Sequence, residues 1–257
     1  MEKKTAYALR GMKDEKIVML TAYDFSNAQI VEAAGVDMIL VGDSAGVVVH
    51  GFKSTREVTM EMMVHHVAAV RRGASNTHLV ADMPYRSCDT PKEAVANAFR
   101  FIREGADSVK VEGAIPDVVR ALRAEGIEVM GHVGLTPQTA TSHKARGRTE
   151  EEAVEIKQGA DILEKAGCFA VVLEHMPLGL AKDITDHVGI PTIGIGAGVH
   201  CDGQVLVLHD MLGMFDRFKP PFVKRYAQLG PDAKAAVAEY AREVREGLFP
   251  DTGHSTE

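Results

Sequence analysis

Met38-Ile-Leu-Val-Gly-Asp43-Ser44 is a run of four apolar residues closed by a glycine and two polar side chains. The same grammar returns in Leu79-Val-Ala-Asp82, Ser108-Val-Lys110-Val-Glu112-Gly113, Val129-Met-Gly-His132, Ala170-Val-Val-Leu-Glu174 and Val205-Leu-Val-Leu-His209-Asp210. A short apolar run bounded by turn signals reads as a strand buried on both faces, which is the condition of a parallel sheet. Charged groups are tolerated there only where a strand runs out of the sheet, so the pattern predicts chemistry gathered at one end of it.

Between these runs lie helix signals. Thr90-Pro91-Lys92-Glu93 is a capping box with proline at the first helical position, followed by Ala94, Ala98, Phe101 and Ile102 on one face and then Gly105. Thr149-Glu-Glu-Glu152 opens a second helix, whose stripe of Ala153, Ile156, Ala160 and Leu163 ends before Gly167. Segments 24–35, 59–73, 115–126 and 178–188 read the same way. With further strands at 17–22 and 191–195, eight strands alternate with helices, and right-handed crossovers turn such an order into a parallel sheet with helices outside. Eight units in 257 residues predict an α/β protein: one (β/α)8 TIM barrel domain over 1–257. An open doubly wound sheet is the alternative, with a usual strand count that is lower.

Two segments break the repeat. Residues 196–203 are too few for an ordinary crossover helix, which implies an abbreviated seventh unit or a misplaced strand. Helical segments at 219–228 and 231–247 fall outside the repeat and are expected as extra C-terminal helices, packed on the barrel or on another subunit.

Composition narrows the function classes. With 46% hydrophobic residues the chain can build one large core, and a net charge of -7 leaves no basic stripe of the kind nucleic acid requires. No window approaches the run of about 20 apolar residues that spans a membrane, and Met1-Glu-Lys-Lys-Thr opens an amphipathic stretch rather than a leader. A cytoplasmic protein without nucleic-acid or membrane partners is expected. Cys88, Cys168 and Cys201 are odd in number and lack Cys-x-x-Cys spacing, so they read as reduced bystanders.

In a barrel of this kind the loops after the strands form the reaction face, which would bring Asp43, Ser44, Asp82, Lys110, Glu112, His132 and Glu174 around one pocket. Lys110 and Glu112, two apart, share the lumen side, while Val109 and Val111 face the helices. Three carboxylates, Asp43, Asp82 and Glu112, repel one another unless a cation joins them, and hard oxygen donors favour Mg²⁺. The competing reading has the aspartates capping helices or pairing with Lys110 and Arg86. A metal there could chelate a 2-oxo acid and stabilise its enolate, with Glu174 as the base that removes the neighbouring carbon-bound proton. Glu174 could instead serve in an ion pair at the barrel mouth. Lys110 and His132 could hold substrate oxygens, although a lone strand-end histidine is equally often a satisfied core residue. Ser44 reads as a donor to the substrate or as a cap. Gly194-Ile-Gly196-Ala-Gly198 has the wrong spacing for a dinucleotide fingerprint and suits a tight turn, and His65-His66 reads as a helical pair without metal.

Together these residues carry a resemblance. Thr21-Ala-Tyr-Asp24, Val41-Gly-Asp-Ser44, Val70-Arg-Arg-Gly73, Val80-Ala-Asp-Met-Pro84, Val109-Lys-Val-Glu-Gly113, Gly131-His-Val-Gly-Leu-Thr-Pro-Gln138, Leu173-Glu174, Ile190-Pro-Thr-Ile-Gly-Ile-Gly-Ala-Gly198 and Asp202-Gly-Gln204 through His209-Asp210 resemble the ketopantoate hydroxymethyltransferase family, in order and over nearly the whole chain. The resemblance implies a Mg²⁺-dependent barrel of the phosphoenolpyruvate/pyruvate superfamily. Such an enzyme transfers a one-carbon unit from 5,10-methylenetetrahydrofolate to 3-methyl-2-oxobutanoate, consuming water and giving 2-dehydropantoate and tetrahydrofolate on the way to pantothenate. By the same resemblance Asp43 and Asp82 bind Mg²⁺ with Glu112 at or near it. Asp43, Ser44, Asp82 and Lys110 contact the oxo acid with His132 in the same pocket, Glu174 accepts the proton, and the assembly is a homodecamer of pentameric rings. The sequence departs from the family at Thr139-Ala-Thr-Ser-His-Lys-Ala-Arg-Gly-Arg148, where a slightly longer loop with a Gly-Gly pair is usual, so folate placement or lid closure is where a difference is expected. The alternatives are a folate-independent Mg²⁺-dependent 2-oxo-acid lyase or aldolase of the same superfamily, and a barrel that binds or assembles without catalysis.

Overall fold

The structure, a computed structural model, describes residues 3–142 and 144–256. It divides into two compact units, Met1–Val207 and Leu208–Glu257. In the first, the elements run in the order α1 (Ala6–Arg10), β1 (Ile17–Thr21), α2 (Phe25–Ala33), β2 (Met38–Val41), α3 (Ala45–Val48), α4 (Met60–Gly73), β3 (His78–Asp82), α5 (Pro91–Arg103) and β4 (Ser108–Lys110). There follow α6 (Pro116–Ala124), β5 (Glu128–Gly134), α7 (Glu150–Ala166), β6 (Ala170–Glu174), α8 (Leu178–His187), β7 (Thr192–Ile195) and β8 (Gly203–Leu206). The strands pair in parallel in sequence order, and β8 closes on β1 through Ile17 opposite Gly203 and Leu20 opposite Leu206. The closed (β/α)8 barrel expected from the alternation is therefore observed, and the open sheet is excluded.

Helix starts follow the expected caps. Asp24, Thr59, Thr90 and Thr149 each accept a hydrogen bond from a first-turn backbone N–H of α2, α4, α5 and α7. Along the strands burial alternates by side. Met19, Met38, Leu40, Val80, Met130, Val172, Ile193 and Val205 fill the barrel interior as one cluster, joined by Ala6 and Leu9 of α1. Their neighbours Ile39, Leu79, Val109 and Val171 are fully buried as well, on the helix side, as are Met63, Phe101 and Leu163 of the surrounding helices.

The seventh unit is abbreviated as its length required. No helix joins β7 to β8; the chain turns through Gly196 and Gly198, both with positive φ, and a side chain at Gly198 would strike Leu178 Cδ1 at 2.1 Å. The eighth strand lies two residues earlier than the apolar run 205–208 suggested. His209 and Asp210 consequently leave the sheet and fall in α9 (Leu208–Met211), the first element of the second unit.

That second unit corrects one expectation. Residues 219–228 are irregular, with a turn at 221–222, rather than helical; Pro220 and Pro221 hold Lys219 and Pro220 out of helical geometry. The later helix is present as α10 (Leu229–Glu246), and it buries none of its residues, leaving Val237, Tyr240 and Val244 exposed. No helix of the described residues is long and apolar enough to cross a membrane. Of the sequence readings, Met1 and Glu2 of the opening stretch and His143 of the variant loop lie outside the described residues.

Candidate active site

The strand ends converge as predicted. Asp43, Ser44, Asp82, Lys110, Glu112, His132 and Glu174 line one cavity of about 110 Å³, floored by Leu40, Val172, Ile195 and Val205. Asp82, Lys110 and Glu174 are the last residues of β3, β4 and β6, while Asp43 and Glu112 stand two residues past β2 and past Lys110. The hydrogen-bonded ladder of β4 stops at Lys110, but Val111 and Gly113 still donate to the carbonyls of Met130 and His132, so the chain stays extended and Glu112 keeps the side that Lys110 occupies. Gly134, at the end of β5, has φ +101°, and a Cβ there would lie 2.3 Å from the Glu174 carbonyl oxygen. This close approach is what lets β5 and β6 present His132 and Glu174 side by side. Two clefts of about 520 Å³ lie elsewhere, lined by residues such as Lys157 and Asp183, which form an exposed ion pair with each other.

Charge in the cavity is concentrated and poorly compensated. Lys110 Nζ lies 2.8 Å from Asp82 Oδ1 and 3.4 Å from His132 Nδ1. His132 Nε2 lies 3.1 Å from Glu174 Oε2, and its Nδ1 is 3.7 Å from Glu112 Oε2. Burial pushes the Asp43 carboxyl well above the ordinary carboxylate range, and Asp82 pushes it the same way against the pull of Lys110. Burial also lifts Glu112, to about 8, again with Lys110 opposing. For Lys110 burial works downward, but Asp82, Asp43 and Glu112 outweigh it and hold the ammonium above its usual value.

Of the competing structural roles, one is realised in part: Asp82 does pair with Lys110, while Arg86 pairs with Asp89 instead. Ser44 occupies the N-cap position of α3 without making a cap bond; its Oγ bonds the Tyr23 hydroxyl at 2.8 Å. Among the described residues no three Asp, Glu, His or Cys side chains form a ready-made metal cage. Asp82 Oδ1 and His132 Nε2 are nonetheless buried without a properly directed hydrogen bond, despite their charged neighbours. Asp82 Oδ1, whose close partner is the Lys110 ammonium, and the neighbouring Asp43 carboxylate are hard oxygen donors of the kind that suit Mg²⁺, which is held by one or two carboxylates plus water and substrate rather than by a full protein cage.

Sequence reasoning placed Gln138 in a motif but gave it no role. It is buried in the loop after β5, where its Nε2 donates to Asp43 Oδ2 at 2.9 Å and its backbone N–H to Glu112 Oε1 at 2.8 Å.

Residues 3–252 match the family model described as ketopantoate hydroxymethyltransferase. The chain belongs to that family. It is 51% identical over 259 residues to a 3-methyl-2-oxobutanoate hydroxymethyltransferase of Thermus thermophilus, covering 98% of this chain and 99% of the relative. It is likewise 51% identical over 260 residues to the enzyme of that name from Syntrophus aciditrophicus, covering 98% and 96%. The expected enzyme class, 3-methyl-2-oxobutanoate hydroxymethyltransferase, is borne out by these relatives. Among solved structures, a 2,3-dimethylmalate lyase, described as a member of the PEP mutase/isocitrate lyase superfamily, superposes with a TM-score of 0.62 at 17% identity, covering 98% of this chain and 91% of its own. A phosphonopyruvate hydrolase, solved in complex with oxalate and Mg²⁺, superposes with a TM-score of 0.65 at 13% identity, covering 98% and 93%. At these identities the likeness is one of fold.

Proposed function

We propose that the chain makes 2-dehydropantoate from 3-methyl-2-oxobutanoate, 5,10-methylenetetrahydrofolate and water, releasing tetrahydrofolate, with Mg²⁺ held by Asp43 and Asp82 and with Glu112 at or beside it. Family membership supports the overall reaction. The observation that carries the assignment of roles is the single cavity in which these three carboxylates meet Lys110, His132 and Glu174. Bound there, Mg²⁺ supplies a Lewis acid that draws electron density from the keto group.

Ser44, Lys110 and His132 hold the oxygens of the oxo acid, and the apolar floor of Leu40, Val172, Ile195 and Val205 receives its branched alkyl end. Glu174 takes the proton from C3, with His132 Nε2 3.1 Å from its carboxylate. Lys110, kept protonated by its carboxylate neighbours, offsets the negative charge that develops on the keto oxygen. At the mouth, water adds to the methylene carbon of the folate and both of its C–N bonds break, releasing tetrahydrofolate and a one-carbon unit at the aldehyde level. The nucleophilic C3 then attacks that carbonyl carbon, and protonation of its oxygen gives the hydroxymethyl group.

The test separates the two halves of the reaction. Incubated with Mg²⁺ and 3-methyl-2-oxobutanoate in D₂O, the protein should exchange the C3 proton, followed by NMR, and should form 2-dehydropantoate once the folate is added. Exchange with no later product would mark a folate-independent lyase or aldolase instead. Glu174→Gln should slow exchange by about 10²–10⁴-fold while Mg²⁺ still binds; undiminished exchange removes Glu174 from the role of base. The reading extends to a soluble cytoplasmic protein and to a homodecamer, for which the exposed Val237, Tyr240 and Val244 of α10 offer a contact surface. Light scattering that returned the mass of one chain would refute the assembly.

A further inference from the structure

Four loops of the barrel mouth meet at one residue that is not among the groups assigned to the substrate. Gln138, 7% exposed, follows β5; its Nε2 donates to Asp43 Oδ2 at 2.9 Å, beyond β2, and to the Met83 carbonyl at 3.0 Å, beyond β3. Its backbone N–H donates to Glu112 Oε1 at 2.8 Å, beyond β4. Both neighbours of Nε2 are acceptors, so the amide can be oriented only one way, with both of its hydrogens engaged. The residue is itself held from outside. Arg56 donates through Nε to the Gln138 carbonyl at 2.6 Å and through Nη2 to the Ala140 carbonyl at 2.8 Å, with its guanidinium 5.7 Å from the centre of the Tyr85 ring.

We propose that Gln138 is a positioning residue for the cation site. With Oδ2 of Asp43 and Oε1 of Glu112 each tied to one rigid residue, neither carboxylate can rotate freely, and Oδ1 of Asp43 and Oε2 of Glu112 are the oxygens left for a cation. Arg56 acts one step further out by fixing the main chain of the 138–140 turn. The inference rests on the Mg²⁺ reading above and adds to it a residue that touches neither metal nor substrate. Partners of this outer kind orient ligands and typically account for about 10–100-fold in metal affinity.

Gln138→Met keeps the length and the main-chain bond to Glu112 but removes both side-chain donors. In calorimetric Mg²⁺ titrations of the full-length protein, it should weaken binding by about ten-fold or more, and exchange of the C3 proton should recover towards the parent rate as Mg²⁺ is raised. A residue needed only for packing would lower the melting temperature without moving the Mg²⁺ dissociation constant. Arg56→Met, at an exposed side chain, should weaken Mg²⁺ in the same direction by a smaller factor, and it carries the test if the Gln138 variant fails to fold. Unchanged Mg²⁺ affinity in a folded Gln138→Met, or in Arg56→Met where only that variant folds, overturns the inference and leaves the Mg²⁺ reading standing. A parent protein that exchanges the C3 proton without binding Mg²⁺ overturns both.

Discussion

The two ends of the barrel use the same residue types for opposite purposes. At the N-terminal end of the strands each buried polar group has a dedicated partner. His78, the first residue of β3, bonds the Lys4 carbonyl at 3.0 Å and Ser108 Oγ at 2.9 Å, and Asp107 takes up Arg71 and the Leu79 backbone N–H. Asp202, just before β8, accepts from Lys13, the Asp14 backbone, the Thr192 backbone and the Thr192 hydroxyl. At the C-terminal end carboxylates face carboxylates around one lysine, Asp43 and Glu112 are pushed upward by burial, and Asp82 Oδ1 and His132 Nε2 lack directed partners. Polar groups at the N-terminal end are satisfied by the fold itself, whereas those at the C-terminal end are left in conflict, the pattern expected where a fold is arranged around a ligand.

The sharpest way to break this contrast is to neutralise one group at each end. Asp43→Asn removes a charge that the fold disfavours, so activity should drop by about 10²–10³-fold or more while the melting temperature of the Mg²⁺-free protein stays level or rises. Asp202→Ala leaves Lys13 and the Thr192 N–H without their acceptor. It should lower stability by about 3–5 kcal/mol in thermal or denaturant unfolding while the folded fraction keeps its kcat. A destabilised Asp43→Asn or a neutral Asp202→Ala would erase the distinction.

The next effect is smaller and depends on pH. Burial holds the His78 imidazole below its ordinary value, with Asp107 and the Lys4 carbonyl pulling upward and Lys3 and Arg71 pushing down with it. His66 is depressed in the same sense, first by burial and then by His50, against the Tyr23 carbonyl and Asp24. In each case the unfolded chain binds a proton near pH 6.5 that the folded chain does not yet take up. Each of these two histidines therefore contributes stability that rises with pH up to about 6.5 and is lost on acidification below it, by up to about 1.4 kcal/mol per pH unit, against the raised carboxyls of Asp43 and Glu112, which act in the opposite sense over the same range. The imidazole signals of His66 and His78, followed by NMR as the folded protein is acidified, check the sign; titration of either ring at or above pH 6.5 would mean that it is not buried neutral.

How much of this is legible in the sequence follows from what is local. Strand ends and helix caps are written in a few consecutive residues, so Asp82, Lys110 and Glu174 at the ends of β3, β4 and β6, and the Thr90 and Thr149 caps, can be read directly. The seven pocket residues follow once barrel closure is assumed, because closure alone brings strand ends together. The role of Gln138 is not legible, because its bonds reach residues 26, 55 and 95 positions away and no periodicity marks them. The plug formed by α1 is hidden as well, since two buried residues in five, Ala6 and Leu9, leave too short a pattern. At 219–228 no helix forms, and the Pro220-Pro221 pair, a signal that the sequence does carry, marks only the start of that irregular stretch.

The smallest expected effect concerns the thiols. A cysteine in a working cleft near a lysine or a helix N-terminus would have its pKa lowered, whereas burial pushes Cys88 and Cys168 up to about 12 and raises Cys201 as well. At pH 8 almost none of each thiol is ionised in the folded state, so a thiol-specific reagent such as DTNB should label the native protein far more slowly than the protein in denaturant, where all three react at ordinary rates. Cys88 is the informative one. It is the least buried of the three and follows Ser87 on the loop after β3, close enough to Asp82 for that carboxylate to add to the upward shift. Rapid labelling of Cys88 alone, slowed by Mg²⁺ and the oxo acid, would show that the β3 loop opens at the mouth while the opposite end of the barrel stays shut, and would turn a static contrast between the two ends into a difference in mobility.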